Sequence, residues 1–310
     1  MNNGFRFAHL SDLHLSSLAG VKLPDLLSKR ALGYISWRLR RRRLHTPEVL
    51  DALLGDLRGL TLDHTVITGD LTHIGLPTEF QQAREWLDSL GSPTDVTLVP
   101  GNHDAYVRAS WDTTFALWTP YMVSDSGLSA GPDLRSAHST FPAVRKRSFA
   151  ALIGVSSARP SAPFLASGSL GAVQLERLND VLGELRQKLF RVLLIHHPPM
   201  PGAVGWRKRL TDEAQLRSVM ARHGVELVLH GHTHRASAMR YQTASRPIPI
   251  IGAPSATARG SKPGHRAQYH VYDVRPLPTG WEIRVSFRVY SPPHRRFLAE
   301  NGPILTVRHP

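Results

Sequence analysis

The sequence contains no cysteine among its 310 residues, although it has 17 histidines. The absence of cysteine excludes disulfide bonds, thiolate zinc sites and cysteine nucleophiles. A metal bound by this chain must therefore be held by oxygen and imidazole ligands. Such ligands suit manganese, iron, zinc, magnesium or cobalt better than copper(I) or iron–sulfur clusters.

Long apolar runs are also missing. Aliphatic stretches such as RVLLI and ELVL are short, and none reaches the roughly 20 apolar residues that a membrane-spanning helix needs. The amino-terminal MNNGFRFAHLSD has neither an apolar targeting region nor a small-residue cleavage site. We expect a cytoplasmic protein, with peripheral attachment to the inner membrane surface as a further option.

Positive charge is abundant and unevenly placed. The chain carries a net charge of +14, and residues 22–45 hold eight Lys or Arg against one acid, which is half of that total. Within this segment, RLRRRR (Arg38–Arg43) has five arginines in six residues. Such a cluster indicates an anionic partner, although a solvated basic helix is the alternative. We expect an anionic membrane surface or a phosphorylated substrate, and no nucleic acid, because no aromatic-interleaved binding face is visible.

The order of predicted elements is that of an α/β protein. Strands and helices alternate as far as about residue 234, and β-patterned segments follow from about 246 to 310. The segment 119–169 contains one clear strand, FAALIGVS. Helical spacing predicts a basic amphipathic helix over 23–44. Its apolar side would comprise Leu23, Leu26, Leu27, Tyr34 and Trp37.

Polar clusters follow five of the predicted strands. In α/β folds, ligand sites lie beyond the carboxyl ends of strands, so we expect these clusters to converge. The sequence segments are HLSDLH, VITGD, LVPGNHD, LLIHH and LVLHGHTH. The candidate site residues are Asp12, His14, Asp70, Asn102, His103, His196, His232 and His234.

The spacing inside these clusters suggests local geometry. Asp12 and His14 are two residues apart, so an extended backbone would point both side chains the same way. Asp70 is a lone carboxylate after Gly69, which suits a bridge between two metals about 3.5–4 Å apart. In LVLHGHTH a strand would send three histidines to one face, whereas a turn at Gly231 would fan them out. Both arrangements favour metal binding.

The ordered blocks DLH, GD, GNHD, HH and GHTH, spread over residues 12–234, resemble those of the calcineurin-like metallophosphoesterases. Each block alone is weak, but the five in order are highly specific. The resemblance implies one phosphoesterase domain over 1–310, with a basic insert at about 18–46. It also implies a four-layer α/β sandwich of two mixed β-sheets flanked by helices, with the metals at one edge.

The resemblance further implies the role of each residue in a dinuclear phosphohydrolase. One of two divalent metals (manganese, iron or zinc) would be bound by Asp12, His14, Asp70 and His234. The other would be bound by Asp70, Asn102, His196 and His232. A hydroxide bridging the metals would attack phosphorus, and His103 would act as an acid or charge stabiliser. We predict that His230 is a strand-end histidine bonded to backbone and that His197 orients a ligand.

The identity of the phosphoester substrate depends on residues around the core motifs. The long insert loosely resembles that of UDP-2,3-diacylglucosamine diphosphatases, which favours a membrane-associated nucleotide-lipid. The motifs SDLHL, GDLT, PGNHD, HHPP and GHTH are most similar to bacterial class III cyclic-nucleotide phosphodiesterases. A nuclease and a metal-free scaffold are further alternatives.

Two other features near these motifs have weaker signals. The basic loop RGSKPGHRA (259–267) could hold a substrate phosphate through Arg259, Lys262 or Arg266, or it could be a solvated loop. His45 and His73 have no ligand-like neighbours in the sequence, which predicts an ordinary structural role for both.

Overall fold

The apolar runs predicted as strands form two six-stranded sheets in the computed structural model of this chain, which describes residues 4–15, 17–39, 41–127, 140–185, 188–260 and 266–309. The first sheet has the order β12-β11-β10-β1-β2-β3. Its strands are β1 (Phe5–Leu10), β2 (His64–Ile67), β3 (Val96–Leu98), β10 (Gln268–Leu277), β11 (Gly280–Ser291) and β12 (Arg296–Arg308). β1, β2 and β3 are parallel neighbours, and β10, β11 and β12 join antiparallel.

The second sheet has the order β4-β5-β6-β7-β9-β8. Its strands are β4 (Ala143–Arg147), β5 (Ala150–Gly154), β6 (Phe190–Leu194), β7 (Leu227–His230), β8 (Ser237–Tyr241) and β9 (Ile248–Gly252). β5, β6, β7 and β9 are parallel, while β4 and β8 pair antiparallel at the two edges. Both sheets are therefore mixed, as the resemblance implies.

Six α-helices are present in the described residues: α1 (Arg30–Leu39), α2 (Pro47–Arg58), α3 (Pro77–Leu90), α4 (Thr119–Met122), α5 (Ala172–Glu184) and α6 (Glu213–His223). Apolar side chains of α2 and α3 belong to the core that contains the first sheet and the inner face of the second. α5 and α6 pack against the other face of the second sheet.

The strands of the second sheet show why four layers form. Successive side chains alternate between its faces. Thus Leu152 and Leu194 lie in the core between the sheets, whereas Ile153 and Leu193 lie in the core against α5 and α6. Burial on both faces explains the continuous apolar runs in the sequence, and the predicted four-layer α/β sandwich is confirmed.

The structure corrects two predictions of secondary structure. The segment 119–169 contains β4 as well as the predicted β5, and the two pair antiparallel. The helix predicted over 23–44 is broken into a 3₁₀ turn at Leu23–Leu26, helix α1, and a second 3₁₀ turn at Arg41–Arg43. Ser28 interrupts it with a φ of 94°, which an α-helix does not accommodate.

The apolar side of the insert also differs from the prediction. Trp37 is buried and Tyr34 is half-buried against the body of the protein, but Leu23 and Leu27 are 83% and 75% exposed. Gly33 makes the close packing possible, because an added Cβ would lie 2.5 Å from Ile74 Cγ2 and 2.8 Å from Tyr106 Oη. In the part of the chain that the structure describes, none of the helices combines the length and apolarity needed to span a bilayer.

Candidate metal centre

The carboxyl ends of five parallel strands bring the predicted ligands together. β1, β2 and β3 lead into Asp12, Asp70 and Asn102, while β6 and β7 lead into His196 and His232. Two groups of ligand atoms result, and within each group all atoms lie within 4.8 Å of one another. The first group is Asp12, His14, Asp70 and His234, and the second is Asp70, His196 and His232.

Asp70 belongs to both groups, and Asn102 joins the second. Asn102 Oδ1 lies 3.1 Å from His196 Nε2, and Asp70 Oδ2 lies 3.4 Å from the same nitrogen. The other oxygen of Asp70 accepts a 2.7 Å hydrogen bond from the His103 backbone N–H. Hence the structure juxtaposes all seven residues that the sequence suggested as ligands.

An unusual backbone conformation directs these side chains inward. Among the described residues, nine non-glycine positions have a positive φ. Five of the nine are predicted ligands: Asp12, His14, Asp70, His232 and His234. Left-handed backbone is unfavourable for most L-residues and concentrates at functional sites. The expected extended backbone at Asp12 and His14 is therefore wrong, because both residues are left-handed, with φ of 53° and 45°.

Asp104 holds two of the ligand-bearing loops together. Its carboxylate accepts hydrogen bonds from the backbone N–H groups of Asp70, Leu71, Thr72 and Gly101, and one from the Thr72 hydroxyl. Gly69 lets the loops approach, since it has a φ of 90° and an added Cβ would lie 2.4 Å from the Gly101 nitrogen. Asp104 lies within the GNHD motif, but its role is not predicted from the sequence.

We expect Asp104→Asn to destabilise the fold while preserving its shape. The amide NH₂ would face backbone N–H groups that now donate to a carboxylate oxygen, at a cost of about 2 kcal/mol, which corresponds to a fall of about 3 °C in Tm for a chain of this length. Calorimetry of this variant beside Asp112→Asn, at an exposed position, measures the difference. Equal Tm values for the two variants would contradict the role assigned to Asp104.

The second group has the donor set of a cation site. His196 Nδ1 donates to the Thr68 carbonyl at 2.6 Å, so Nε2 is the ring nitrogen that faces the oxygens of Asp70 and Asn102. His232 Nδ1 lies 3.2 Å from the same Nε2. Burial lowers the pKa of an imidazole, but the adjacent Asp70 carboxylate outweighs it and raises the pKa of His196 to about 9. Acceptors that converge in this way need positive charge between them, which a divalent cation would supply.

The first group fits a cation for the same reason. His14 Nδ1 donates to the Thr72 carbonyl at 2.8 Å, and its buried Nε2 has no hydrogen-bond partner among the described residues. His234 Nε2 lies 3.2 Å from Asp12 Oδ1. Burial, followed by the charges of nearby histidines, holds the pKa of His14 well below its usual value, which keeps the Nε2 lone pair free. A backbone carbonyl behind a ligating histidine commonly fixes its tautomer.

Beside these groups, His103 is held by two neighbours. Its Nδ1 donates to the His73 carbonyl at 2.6 Å. The guanidinium of Arg41, from the insert, lies 3.0 Å from His103 Nε2. Burial, then the positive charge of Arg41, lowers the pKa of His103 to about 3. His103 is thus neutral at physiological pH in this arrangement, and Arg41 is the charged donor beside it.

The position of Arg41 and the surroundings of two histidines are not evident from the sequence. The rings of His45 and His73 each lie 4.9 Å from the ring of His14, centroid to centroid. Neither histidine has a ligand-like neighbour along the chain, but both meet a candidate ligand in space, and their ordinary structural role stays a prediction. The polybasic run predicts an anionic partner, but it does not show which of its arginines points toward the candidate metal centre.

Two further histidines lie where they were predicted. His230 is buried at the end of β7, with Nδ1 3.0 Å from the Gly231 carbonyl oxygen. His197 is bonded away from the ligand groups, with Nδ1 2.7 Å from Ser157 Oγ and Nε2 3.0 Å from the Ala166 oxygen. Its ring packs 4.4 Å from that of His232, so it positions a candidate ligand.

The structure describes two of the three basic-loop residues suggested to hold a substrate phosphate, and that role stays a prediction. Arg259 and Arg266 are exposed and face each other across an isolated antiparallel bridge. In the described chain, no hydrogen bond joins either side chain to a residue of the two ligand groups, whereas Arg41 reaches His103. Lys262 lies outside the described residues, as does Arg40 of the polybasic run.

Comparison with known proteins agrees with this geometry. The calcineurin-like phosphoesterase family matches residues 5–236. A probable cyclic nucleotide phosphodiesterase of Synechococcus sp. is 26% identical over 235 residues, covering 74% of each chain. A 3′,5′-cyclic-nucleotide phosphodiesterase of Nostoc sp. is 25% identical over 251 residues, covering 80% of this chain and 77% of that protein.

A similar fold is found among solved structures. A dimetal phosphatase from Danio rerio superimposes with a TM-score of 0.59 at 15% sequence identity, and the match covers 99% of both chains. At this identity the likeness concerns the fold, which is the sandwich of two sheets described above.

Proposed function

The chain belongs to the calcineurin-like phosphoesterase family, and we propose that it is a phosphodiesterase that uses two divalent metal ions. The observation that carries this proposal is the position of Asp70, which lies in both groups of ligand atoms. A carboxylate shared between two sets of N/O donors suits a pair of metals about 3.5–4 Å apart.

The residues that would hold the metals follow from the two groups. Asp12, His14, Asp70 and His234 would hold one, and Asp70, Asn102, His196 and His232 the other. When bound, such cations polarise a phosphoryl oxygen and lower the pKa of a coordinated water. Manganese, iron and zinc are all compatible with these donors. The hydrogen bonds from His14 and His196 to backbone carbonyls would keep the ligand nitrogens aimed at the cations.

The chain supplies its own charge beside the metals. Arg41 is half-buried next to His103, so its guanidinium can donate two parallel N–H hydrogen bonds to the oxygens of a phosphoryl group. Charge develops on those oxygens during displacement at phosphorus, and a preorganised cation stabilises it. His103, with its Nδ1 proton fixed on the His73 carbonyl, would orient Arg41 and accept its hydrogen bond at Nε2.

His103→Ala should slow hydrolysis about a hundredfold, because Arg41 would lose the acceptor that orients it as a preorganised transition-state donor. Both metals should stay bound, because the His103 side chain belongs to neither ligand group. Metal content by plasma mass spectrometry and kcat on a diester test this together. His230→Ala is the control, because it removes a buried histidine at the end of β7 and should change neither quantity. Loss of metal in His103→Ala would place His103 among the ligands and contradict its role here.

Cyclic nucleotides are the substrate class with the most support. Both curated relatives are described as cyclic nucleotide phosphodiesterases, and each match extends over at least 74% of this chain. The sequence motifs from SDLHL to GHTH also resemble those of cyclic-nucleotide phosphodiesterases. We therefore place a 3′,5′-cyclic nucleotide first among substrates.

A membrane-associated nucleotide-lipid such as UDP-2,3-diacylglucosamine is the second candidate. The observation in its favour is the insert, whose outer side exposes Leu27, Ile35 and Leu39 while its Arg41 reaches the centre. The acyl chains of such a substrate could contact the exposed apolar side chains while its phosphate contacts Arg41. The exposed apolar and basic side chains of the insert, unlike Arg41, have no evident use for a small cyclic nucleotide.

The decisive experiment is hydrolysis by protein loaded with manganese, with and without chelator. Bis-p-nitrophenyl phosphate tests the phosphodiesterase reaction, and 3′,5′-cyclic AMP and UDP-2,3-diacylglucosamine test the two substrate classes. We expect chelator-sensitive activity on the chromogenic diester and a higher kcat/KM for the cyclic nucleotide. Full metal content with no activity on any of the three would contradict the proposal and favour a scaffold.

A further inference from the structure

We propose that the outer face of the insert docks this protein on an anionic lipid bilayer. The outer face is defined here as the exposed apolar side chains between 23 and 44 and the exposed basic side chains Lys22, Arg38, Arg42 and Arg43. This inference goes beyond the proposed function, because binding to a bilayer requires neither metals nor hydrolysis.

The first observation is the concentration of exposed apolar side chains. Ten large apolar residues are exposed in the described part of the chain, and six of them lie between 23 and 44. These six are Leu23, Leu27, Leu32, Ile35, Leu39 and Leu44. Exposed apolar side chains scattered singly are normal, whereas six within 22 consecutive residues are a concentration typical of an interaction surface.

Helical spacing explains how the face forms. In α1, Leu32, Ile35 and Leu39 are three and four residues apart and so share one side of the helix. The opposite side is already used, because Gly33 lies against Ile74 and Trp37 is buried. The helix α1 therefore has two apolar sides. One packs against the body of the protein, and the other belongs to the outer face.

The second observation is the charge around these apolar side chains. Arg38, Arg42 and Arg43 are exposed, and Asp25 is the single acid between residues 22 and 45. A helix with leucines beside arginines lies in the membrane interface with its apolar side in the acyl boundary. Its basic side chains then reach the anionic head groups.

Two other occupants fit the outer face less well. A second copy of this chain docked around a twofold axis would set the same arginines against each other. A nucleic acid would neutralise the arginines, but it would leave exposed aliphatic side chains such as Leu27 and Leu39 in water, and bases stack on aromatic side chains. A bilayer satisfies both the apolar and the basic groups.

The insert is fixed to the protein on both sides of α1, so the outer face is presented in one orientation. Lys29 Nζ donates to Ser161 Oγ at 2.9 Å and to the Leu165 carbonyl at 3.0 Å. Beyond the helix, the Arg259 backbone N–H donates to the Leu44 carbonyl at 2.7 Å. Because Arg41 reaches His103 between these anchors, docking would bring the candidate metal centre close to the membrane surface.

Vesicle co-sedimentation of the full chain tests the proposal. The vesicles are phosphatidylcholine with and without phosphatidylglycerol. We expect binding only when the anionic lipid is present, and weaker binding as salt is raised. The triple variant Arg38→Ser, Arg42→Ser, Arg43→Ser should weaken binding roughly a hundredfold, at about fivefold for each basic side chain. The triple variant Leu32→Ser, Ile35→Ser, Leu39→Ser should weaken it roughly tenfold or more.

Matched variants control for total charge and apolarity. Arg240→Ser with Arg275→Ser and Arg308→Ser removes three exposed arginines on other elements, and Val173→Ser with Ile304→Ser removes exposed apolar side chains elsewhere. Neither control should alter binding. Equal binding to neutral vesicles, no binding to anionic vesicles, or equal losses in controls and insert variants would overturn the proposal.

Two further measurements separate the alternatives. Sedimentation equilibrium without lipid should give the same mass for the wild type and the apolar triple variant, and a dimer lost in that variant would overturn the bilayer in favour of a second copy. Hydrolysis of bis-p-nitrophenyl phosphate should be unchanged in the arginine triple variant. Vesicle binding without hydrolysis would support the docking proposal and contradict the proposed function. Hydrolysis without vesicle binding would support the proposed function and contradict the docking proposal.

Discussion

Asp70→Ala should lose bound metal and at least about a thousandfold in turnover, equivalent to roughly 4 kcal/mol of transition-state stabilisation. Asp70 is the residue shared by the two groups of ligand atoms, so its removal weakens both metal positions at once. Loss of any other ligand leaves one group complete. Metal content after dialysis and kcat on bis-p-nitrophenyl phosphate measure the two effects.

Two companion variants isolate the bridging role of Asp70. Asp70→Asn keeps an oxygen that can accept the hydrogen bond from the His103 backbone, so it should fold like the wild type and still bind metal poorly. Asp51→Ala removes an exposed carboxylate on α2 and should behave as wild type. Full metal occupancy in both Asp70 variants would show that the ligand assignment is wrong.

Arg41→Gln should reduce kcat/KM for a soluble diester by about a hundredfold to a thousandfold, the range seen when one preorganised transition-state donor is removed. The physical reason is the position of its guanidinium 3.0 Å from His103 Nε2, beside the groups that would hold the metals. Metal content should stay unchanged, because Arg41 is not a ligand. Steady-state kinetics and metal analysis on one preparation check both expectations.

The neighbouring residue provides the control for Arg41. Arg42→Gln removes the same charge from an exposed position and should leave the hydrolysis of a soluble diester within a factor of about two. Arg41→Lys should recover part of the activity, since a lysine keeps the charge but not the planar two-point geometry. Equal kcat/KM values for Arg41→Gln and Arg42→Gln would show that Arg41 does not stabilise the transition state.

Much of the fold could be predicted because its signals are local. Parallel strands buried on both faces are continuous apolar runs, and their carboxyl ends must meet at one edge of the sheets. The order of motifs from Asp12 to His234 then placed seven candidate ligands at that edge, and the structure brings those seven together.

The missed features are long-range or conformational. Nothing in RLRRRR shows that Arg41 turns inward while Arg42 and Arg43 face solvent, because that depends on how Gly33 seats α1 against Ile74. The left-handed backbone at the ligand positions was also unexpected, since few non-glycine residues adopt it, although Asp and His do so more often than most. The role of Asp104 could not be predicted because its partners include backbone N–H groups in another loop.

Anomalous X-ray scattering from crystals of the manganese-loaded protein tests the central claim most directly. We predict two anomalous peaks about 3.5–4 Å apart. Asp70 should contact both peaks, with Asp12, His14 and His234 at one and Asn102, His196 and His232 at the other. A single peak, or two peaks of which only one touches Asp70, would contradict the dinuclear centre.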